Sequence, residues 1–344
     1  MAAVQNSPVI RCAINGFGRI GRGILRALYE YRRWPVTIVA INDLAAPETV
    51  VHLTRFDSTH GRFPMPVREE DGWLWVGEDR IRLLRQERLS SRAWEKLEID
   101  VVLECTGRIK SGRAARQHLD AGAGKVLISN PADDRVEATI VYGLNHNELT
   151  GREAIVSNAS CTSNCVIPVI EVLDRAFGIA CGNITTIHAA MNDQPVIDCS
   201  CSNLRLCRAA GVSIVPVDTR LDRGIERILP RFAGRFQTTA LRVPTLNVTA
   251  MDLHLCLERP ASADGINAAL KEAADSRFSS IMDYCDIPVA SIDFNHDPHS
   301  CIVDATQTRV CENGLTKLLV WCDNEWGFAN RMLDTVTAMM KTPA

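Results

Sequence analysis

The stretch VIRCAINGFGRIG, residues 9–21, decides how the first half of this chain folds. VIRCAIN is a short β-type run that ends in a glycine turn. A helical pattern starts directly after it, with Ile20, Ile24 and Leu28 recurring every four residues on one helix face. A second apolar run, residues 36–41, leads into Asn42 and Asp43. Strand, glycine turn, helix, strand and acid follow in the order and spacing of a dinucleotide-binding unit. In such a unit Gly16 permits the tight turn, Gly18 lets the backbone approach a pyrophosphate, and Gly21 lets the helix pack close to the sheet. The helix N-terminus presents N–H groups to the phosphates. Asp43 accepts from a ribose 2′-OH and repels a 2′-phosphate, which favours NAD over NADP. A glycine-rich turn alone can also bind nothing; the flanking strands and the acid argue for the ligand.

Outward from this unit, the runs at residues 100–107, 125–129, 138–143 and 154–157 are nearly continuous in apolar residues. That pattern fits strands of a sheet covered on both faces. Thr106 and Ser129 fall at strand ends, where ligands lie in such sheets. Beyond residue 173 the pattern alternates, at 183–191, 238–258 and 316–326. Alternation predicts antiparallel strands with one packed face. Helices are expected over 265–277 and from Gly327, where Met332, Leu333, Val336 and Met339 share a face. The expected fold class is α/β: a doubly wound Rossmann domain over residues 1–160, then an α+β catalytic domain with a mainly antiparallel sheet over 161–323.

Composition bounds the function. The chain has 344 residues, 46% hydrophobic and 23% charged, enough for two cores without disulfide or metal staples. A net charge of −3 gives no basic field for nucleic acid. No run is long and apolar enough to span a membrane. The first residues lack a charged segment followed by an apolar one, so no secretory signal is expected. The cysteines number thirteen, an odd count, and are expected to be mostly reduced thiols in the cytoplasm.

One of them sits in an unusual setting, SNASCTSNC at residues 157–165. Cys161 is expected where a strand ends and a helix begins, with Ser160 as a possible cap. A thiol there should have a lowered pKa and react as thiolate. Cys165, one turn on, reads as buried packing, and Pro168 is expected to kink or interrupt the helix. His188, near the end of a predicted strand, could hold the thiolate as an ion pair and shuttle protons. With eight histidines and thirteen cysteines the pairing is not fixed by sequence, and an ordinary buried thiol stays open. Cys199, Cys201 and Cys207 lack the paired spacing and histidine of a four-ligand metal site, so a reduced loop is expected. The run NHDPHS, residues 295–300, reads as turn chemistry. Trp73 and Trp75, alternating on a predicted hairpin, read as packing residues.

The motifs INGFGRIGR, SNASCTSNC, RVPT and CDNEWGFANR, in that order along nearly the whole length, closely resemble the glyceraldehyde-3-phosphate dehydrogenase family. The resemblance implies Cys161 as nucleophile and His188 as general base. It implies NAD contacts at Asn15, Gly16, Phe17, Gly18, Arg19, Ile20, Gly21, Asp43, Thr106, Ser129 and Asn324, the last holding the nicotinamide carboxamide. It places the phosphorylated aldose near Ser160, Thr162, Asp193, Arg205, Arg208, Thr219, Arg220 and Arg242. It further implies a final helix, 324–344, packing back on the cofactor domain, no metal, and a homotetramer.

Within the family, IVYGLN, HAAMNDQPVID, VDTR and FNHDPHSCIVDATQTRV look most like the branch that oxidises erythrose 4-phosphate and supplies vitamin B6 precursors. Three positions depart from the glycolytic pattern: Met191 for Thr, Leu206 for Arg, and Arg220 for Gly. Met191 removes a hydroxyl from the substrate-phosphate side and Leu206 a charge-assisted donor for the attacking phosphate, so capture of a second phosphate is weakened and water is expected to resolve the acyl-thioester. The alternative is a phosphorylating glyceraldehyde-3-phosphate dehydrogenase. A second alternative is a non-catalytic dinucleotide-sensing or RNA-binding protein, against which Cys161, His188 and Asn324 occur together.

Overall fold

A computed structural model describes residues 9–90, 92–133 and 135–341. The contacts divide the chain into two compact units. One gathers the residues up to Ser160 together with those from Ala329 onward; the other is Cys161–Phe328.

The first unit is built on a nine-stranded sheet in the order Ala138–Thr139, Ile155–Ser157, Lys125–Ile128, Val101–Glu104, Ile10–Asn15, Val36–Asn42, Asp79–Leu84, Trp73–Val76 and Val67–Glu70. The first six pairings are parallel and the last two antiparallel. The central strands are mostly apolar because both faces are covered: Ile14, Val102 and Leu127 are fully buried. From Ile10–Asn15 the chain goes to Val36–Asn42 on one side, while Val101–Glu104 flanks it on the other. The strand ends Asn15, Asn42 and Glu104 therefore meet at a topological switch point, the place where ligands bind in open α/β sheets.

One expectation is corrected in this unit. The run at 138–143 forms strand only at Ala138–Thr139. Trp73 and Trp75 are packing residues, on the side of their hairpin opposite the fully buried Leu74 and Val76. The indoles lie on the outer face under arginines, with Arg68 4.4 Å above Trp75 and Arg80 4.9 Å above Trp73. An aromatic face can be covered by a guanidinium, so a ring need not enter the core to lose water.

The last helix, Trp326–Met339, buries Met332, Leu333, Val336 and Met339. Trp34 Nε1 donates to Asp334 at 2.6 Å, and Thr335 Oγ1 donates to Asn158 at 2.7 Å. Lys125 Nζ donates to the Met339 carbonyl at 3.1 Å, a cation at the helix C-terminus where the dipole favours one. Asn324 lies in the turn ahead of this helix.

The second unit carries a seven-stranded sheet in the order Val215–Val217, Phe236–Val243, Ile179–Ala189, Thr249–Leu257, Leu315–Cys322, Cys301–Val310 and Met282–Cys285. Four pairings are antiparallel and two are parallel. The run at 238–258 is not one strand. It breaks after Val243, at Pro244, which has no N–H for a ladder. Its halves lie on opposite sides of Ile179–Ala189. The helix Cys161–Phe177 runs through Pro168 without interruption. Its residues from Ser163 to Leu173 are buried, and that packing outweighs a proline cost of about 3 kcal/mol. Among the described residues no helix is long and apolar enough to cross a membrane.

Candidate functional site

At the glycine turn, Gly16 has φ +92°, and a Cβ there would come within 2.7 Å of the Thr106 backbone nitrogen. A Cβ at Gly21 would collide with the Gly16 carbonyl oxygen. Both positions admit only glycine. A Cβ on Gly18 meets nothing within 4 Å, so the space over the turn is open, as a bound pyrophosphate requires. Asp43 accepts from Phe17 N at 2.7 Å and from Ala45 N at 2.8 Å, which fixes its carboxylate beside the turn. Arg19, which begins the helix Arg19–Tyr31, pairs its guanidinium with Asp57. Burial alone would raise the Asp57 carboxyl, but Arg19 and the backbone N–H groups of His60 and Thr59 hold it well below the usual range. Phe17 is buried and Ile20 half-exposed.

Behind the turn lies a hub that sequence reasoning did not single out. Glu104 ends the strand Val101–Glu104 and is fully buried. Its Oε2 accepts from Asn15 Nδ2 at 2.6 Å and meets His118 Nε2 at 3.0 Å. Its Oε1 accepts from Thr106 N at 2.9 Å and from Thr106 Oγ1. Trp94 Nε1 donates to His118 Nδ1 at 3.1 Å, so the His118 Nε2–H faces Glu104. Asn42 Nδ2 donates to Asn15 Oδ1 at 2.8 Å. Burial pushes the Glu104 carboxyl up, but the His118, Thr106 and Asn15 bonds outweigh it and keep it low. The carboxylate thus fixes Asn15 and Thr106. The signal was present: a glutamate closing an otherwise apolar strand. Ser129, at the next strand end, donates its N–H to the Glu104 carbonyl at 3.0 Å.

In the second unit, Cys161 is the first residue of the helix and is partly exposed. Its Sγ lies 3.9 Å from His188 Nε2. His188 Nδ1 contacts the Ala189 carbonyl at 2.8 Å, so Nδ1 carries the proton and Nε2 turns its lone pair to the thiol. The expected thiolate–imidazolium pair is corrected by the electrostatics. Burial and the neighbouring Cys322 thiol push Cys161 up to about 12; Arg242 and the N–H groups of Thr162 and Cys161 oppose this without overcoming it. Burial and Arg242 push His188 down to about 4. The resting pair is a neutral thiol beside a neutral imidazole, with the base aimed at the proton it would take. Cys165 is buried and directs its Sγ to the Trp321 carbonyl at 4.0 Å, a packing residue.

Arg242 completes this cluster. The parallel pairing of Ile179–Ala189 with Phe236–Val243 sets Arg242 directly beside His188. Its Nε and Nη1 are buried with no hydrogen-bond partner, and Asp193 acts on it only through space. An uncompensated guanidinium edge can accept an anion.

The other residues expected near the phosphate are placed differently. Thr162 lies in the first helical turn, directly after Cys161, and Ser160 just ahead of it. Arg205 is exposed on the loop after Ala189. Arg208 Nε is paired with Asp198 at 2.9 Å. Thr219 Oγ1 accepts from Leu221 N at 3.3 Å, and Arg220 is exposed at the start of the helix Leu221–Ile228. Met191 is 46% exposed and Leu206 half-buried.

Asn324 is held by residues the sequence reading passed over. Its Oδ1 accepts from Thr249 Oγ1 at 3.0 Å, which turns the amide Nδ2 the other way. The turn around it is tied by Asp323, which accepts from His296 N at 2.8 Å, Glu325 N at 3.0 Å and Trp326 N at 2.8 Å. The NHDPHS run therefore braces the Asn324 turn, with His296 also stacked on Trp326 at 3.8 Å. Asp283, Asp297 and His299 converge within 4.8 Å, and His299 Nδ1 already contacts Asp297 at 2.7 Å.

Residues 10–112 match the glyceraldehyde 3-phosphate dehydrogenase NAD binding domain. Residues 160–324 match the C-terminal domain of the same enzyme family. The glycine turn, Asp43, Glu104 and Thr106 fall within the first match, an NAD binding domain. Cys161, His188 and Arg242 fall within the second. Both halves come from one family, in its domain order and over most of the chain, so this protein belongs to the glyceraldehyde 3-phosphate dehydrogenase family, NAD-dependent oxidoreductases of aldehyde phosphates.

Proposed function

We propose that the protein oxidises erythrose 4-phosphate to 4-phosphoerythronate, with water resolving the acyl-enzyme. The observation that carries the reading is the unpaired buried edge of Arg242 beside Cys161 and His188. It supplies one strong anion site for the phosphorylated aldose at the reacting centre. Cys161 Sγ attacks the aldehyde carbon while His188 Nε2 takes the thiol proton, so no thiolate need be stored beforehand. The thiohemiacetal oxygen is stabilised by backbone N–H at the helix start and by the His188 ring. By the family resemblance the glycine turn, Asp43 and the Asn324 amide would hold NAD, which would supply the hydride acceptor. Once the thiol proton has passed to solvent, His188 serves as base for the water that hydrolyses the thioester, and then returns the proton to the departing Cys161 thiolate.

Water is favoured over phosphate because, by the family resemblance, Leu206 stands where the glycolytic pattern has an arginine for the attacking phosphate. Without positioned phosphate, its proximity advantage is lost. A phosphorylated four-carbon acid suits a role in vitamin B6 supply. On the same resemblance we read the protein as a cytoplasmic homotetramer, and the exposed Val212, Ile214 and Leu246 are apolar surface that such an assembly would cover.

The test is NADH formation from erythrose 4-phosphate and from glyceraldehyde 3-phosphate, each with and without inorganic phosphate, with hydroxylamine trapping of any acyl phosphate. Turnover of the four-carbon substrate without phosphate supports the reading. Strict phosphate dependence with acyl phosphate as product would establish the glycolytic alternative. Leu206→Arg with Arg220→Gly should raise phosphate dependence.

A further inference from the structure

Cys201 and Cys207 stand apart from the thiols of the candidate site. Their sulfurs are 3.0 Å apart, on a loop of the second unit remote in sequence from Cys161. The loop folds so as to bring them together. Cys199 N donates to the Cys207 carbonyl at 2.9 Å, and Leu206 N donates to the Asn203 carbonyl at 3.0 Å. Both thiols converge on the Asn203 carbonyl, Cys201 Sγ at 3.0 Å and Cys207 Sγ at 3.4 Å. Cys207 Sγ also reaches the Cys201 carbonyl at 3.3 Å. Cys201 is exposed and Cys207 half-exposed, so a soluble oxidant reaches them. A short backbone turn with two facing, accessible thiols has already met the closure cost of a disulfide loop.

We propose that Cys201 and Cys207 form a reversible dithiol–disulfide site, oxidised by exchange with a small-molecule disulfide such as glutathione disulfide. The Cys201 thiolate attacks one sulfur of the reagent; its S–S bond breaks and one glutathione thiolate leaves. The Cys207 thiolate then attacks Sγ of Cys201 in the mixed disulfide, and the second glutathione leaves. The protein gives up two electrons and two protons, and the reagent becomes two thiols. The cross-link spans Arg205 and Leu206 and ends next to Arg208, so it restrains a loop rich in cations without using any of them.

The full-length protein is equilibrated with a glutathione disulfide–glutathione mixture, quenched with acid, alkylated and digested with trypsin without reduction. Cleavage after Arg205 and Arg208 puts the two cysteines on separate peptides. Most of the Leu206–Arg208 peptide should be recovered linked through Cys201 to the peptide ending at Arg205, and dithiothreitol should release it. Cys199→Ser and Cys181→Ser should leave the link intact. Cys201→Ser should abolish it, with Cys207 found instead as a glutathione adduct. Recovery of Cys207 in the native protein as free thiol or glutathione adduct, to the extent seen in Cys201→Ser, would overturn the proposal. So would a link that persists in Cys201→Ser through Cys199 or Cys181.

Discussion

Glu104 in the first unit and Arg242 in the second are both charged groups withdrawn from water, and the fold treats them in opposite ways. Glu104 receives hydrogen bonds from Asn15, His118 and Thr106 on both carboxylate oxygens. Arg242 keeps two buried N–H groups with no acceptor. A satisfied buried charge rigidifies what surrounds it; an unsatisfied one costs about 1–3 kcal/mol per group until a ligand supplies the acceptor. The first arrangement therefore reads as scaffold for the cofactor turn, the second as a binding site. Substitutions at the two places should fail in different currencies, stability for one and substrate affinity for the other.

The largest effect lies at the thiol that Arg242 faces. Cys161→Ser should lower aldehyde oxidation by more than about a thousandfold while NAD binding persists, because a hydroxyl is a far weaker nucleophile. Cys165→Ser should lower the melting temperature and keep turnover. Single-turnover NADH formation with both variants checks this, and activity in Cys161→Ser with none in Cys165→Ser would reverse the two roles.

Next comes the scaffold. Glu104→Leu leaves the His118, Thr106 and Asn15 donors facing an apolar side chain and should cost about 3 kcal/mol of folding stability. NAD affinity should fall with it, since Asn15 and Thr106 lose their anchor. Denaturant unfolding with unchanged stability would show that the hub does not carry load at the strand ends.

Arg242→Leu should behave in the contrary way. Stability should hold or rise, because two unpaired buried donors disappear. KM for the aldose phosphate should rise roughly 10- to 100-fold, the worth of a charge-assisted pair, while a non-phosphorylated aldehyde is spared. The pH profile gives an independent readout. His188 acts as base only when neutral, so kcat/KM falls as pH drops through its pKa of about 4. Burial and Arg242 both depress that pKa, so removing Arg242 should move the acidic limb to higher pH. A stability loss matching that of Glu104→Leu, with an unmoved limb, would erase the distinction between the two sites.

The smallest effect is at the cofactor acid. Asp43→Ser should raise the NADP-to-NAD ratio of kcat/KM by about tenfold, one hydrogen bond to a charged group. It should also loosen Phe17 N, which Asp43 holds at 2.7 Å. An unchanged ratio would remove Asp43 from the ribose site.

What the sequence determined by itself is local. The glycine turn, the acid after the second strand and the polar start of the Cys161 helix are each written in a few contiguous residues. Backbone sterics and hydrogen bonding act over that range, and the order of the motifs carried the family resemblance. Tertiary structure decided what depends on distant chain segments. The parallel register that sets Arg242 beside His188 could not be read from two alternating strands, because alternation fixes a face but not a partner or a direction. The brace of Thr249 and Asp323 on Asn324, and the gathering of Asn15, Thr106 and His118 on Glu104, likewise join residues that only packing brings together. The protonation of the reactive pair was beyond local reading for the same reason. A helix N-terminus argues for a thiolate, but desolvation by the whole unit outweighs it and keeps both Cys161 and His188 neutral.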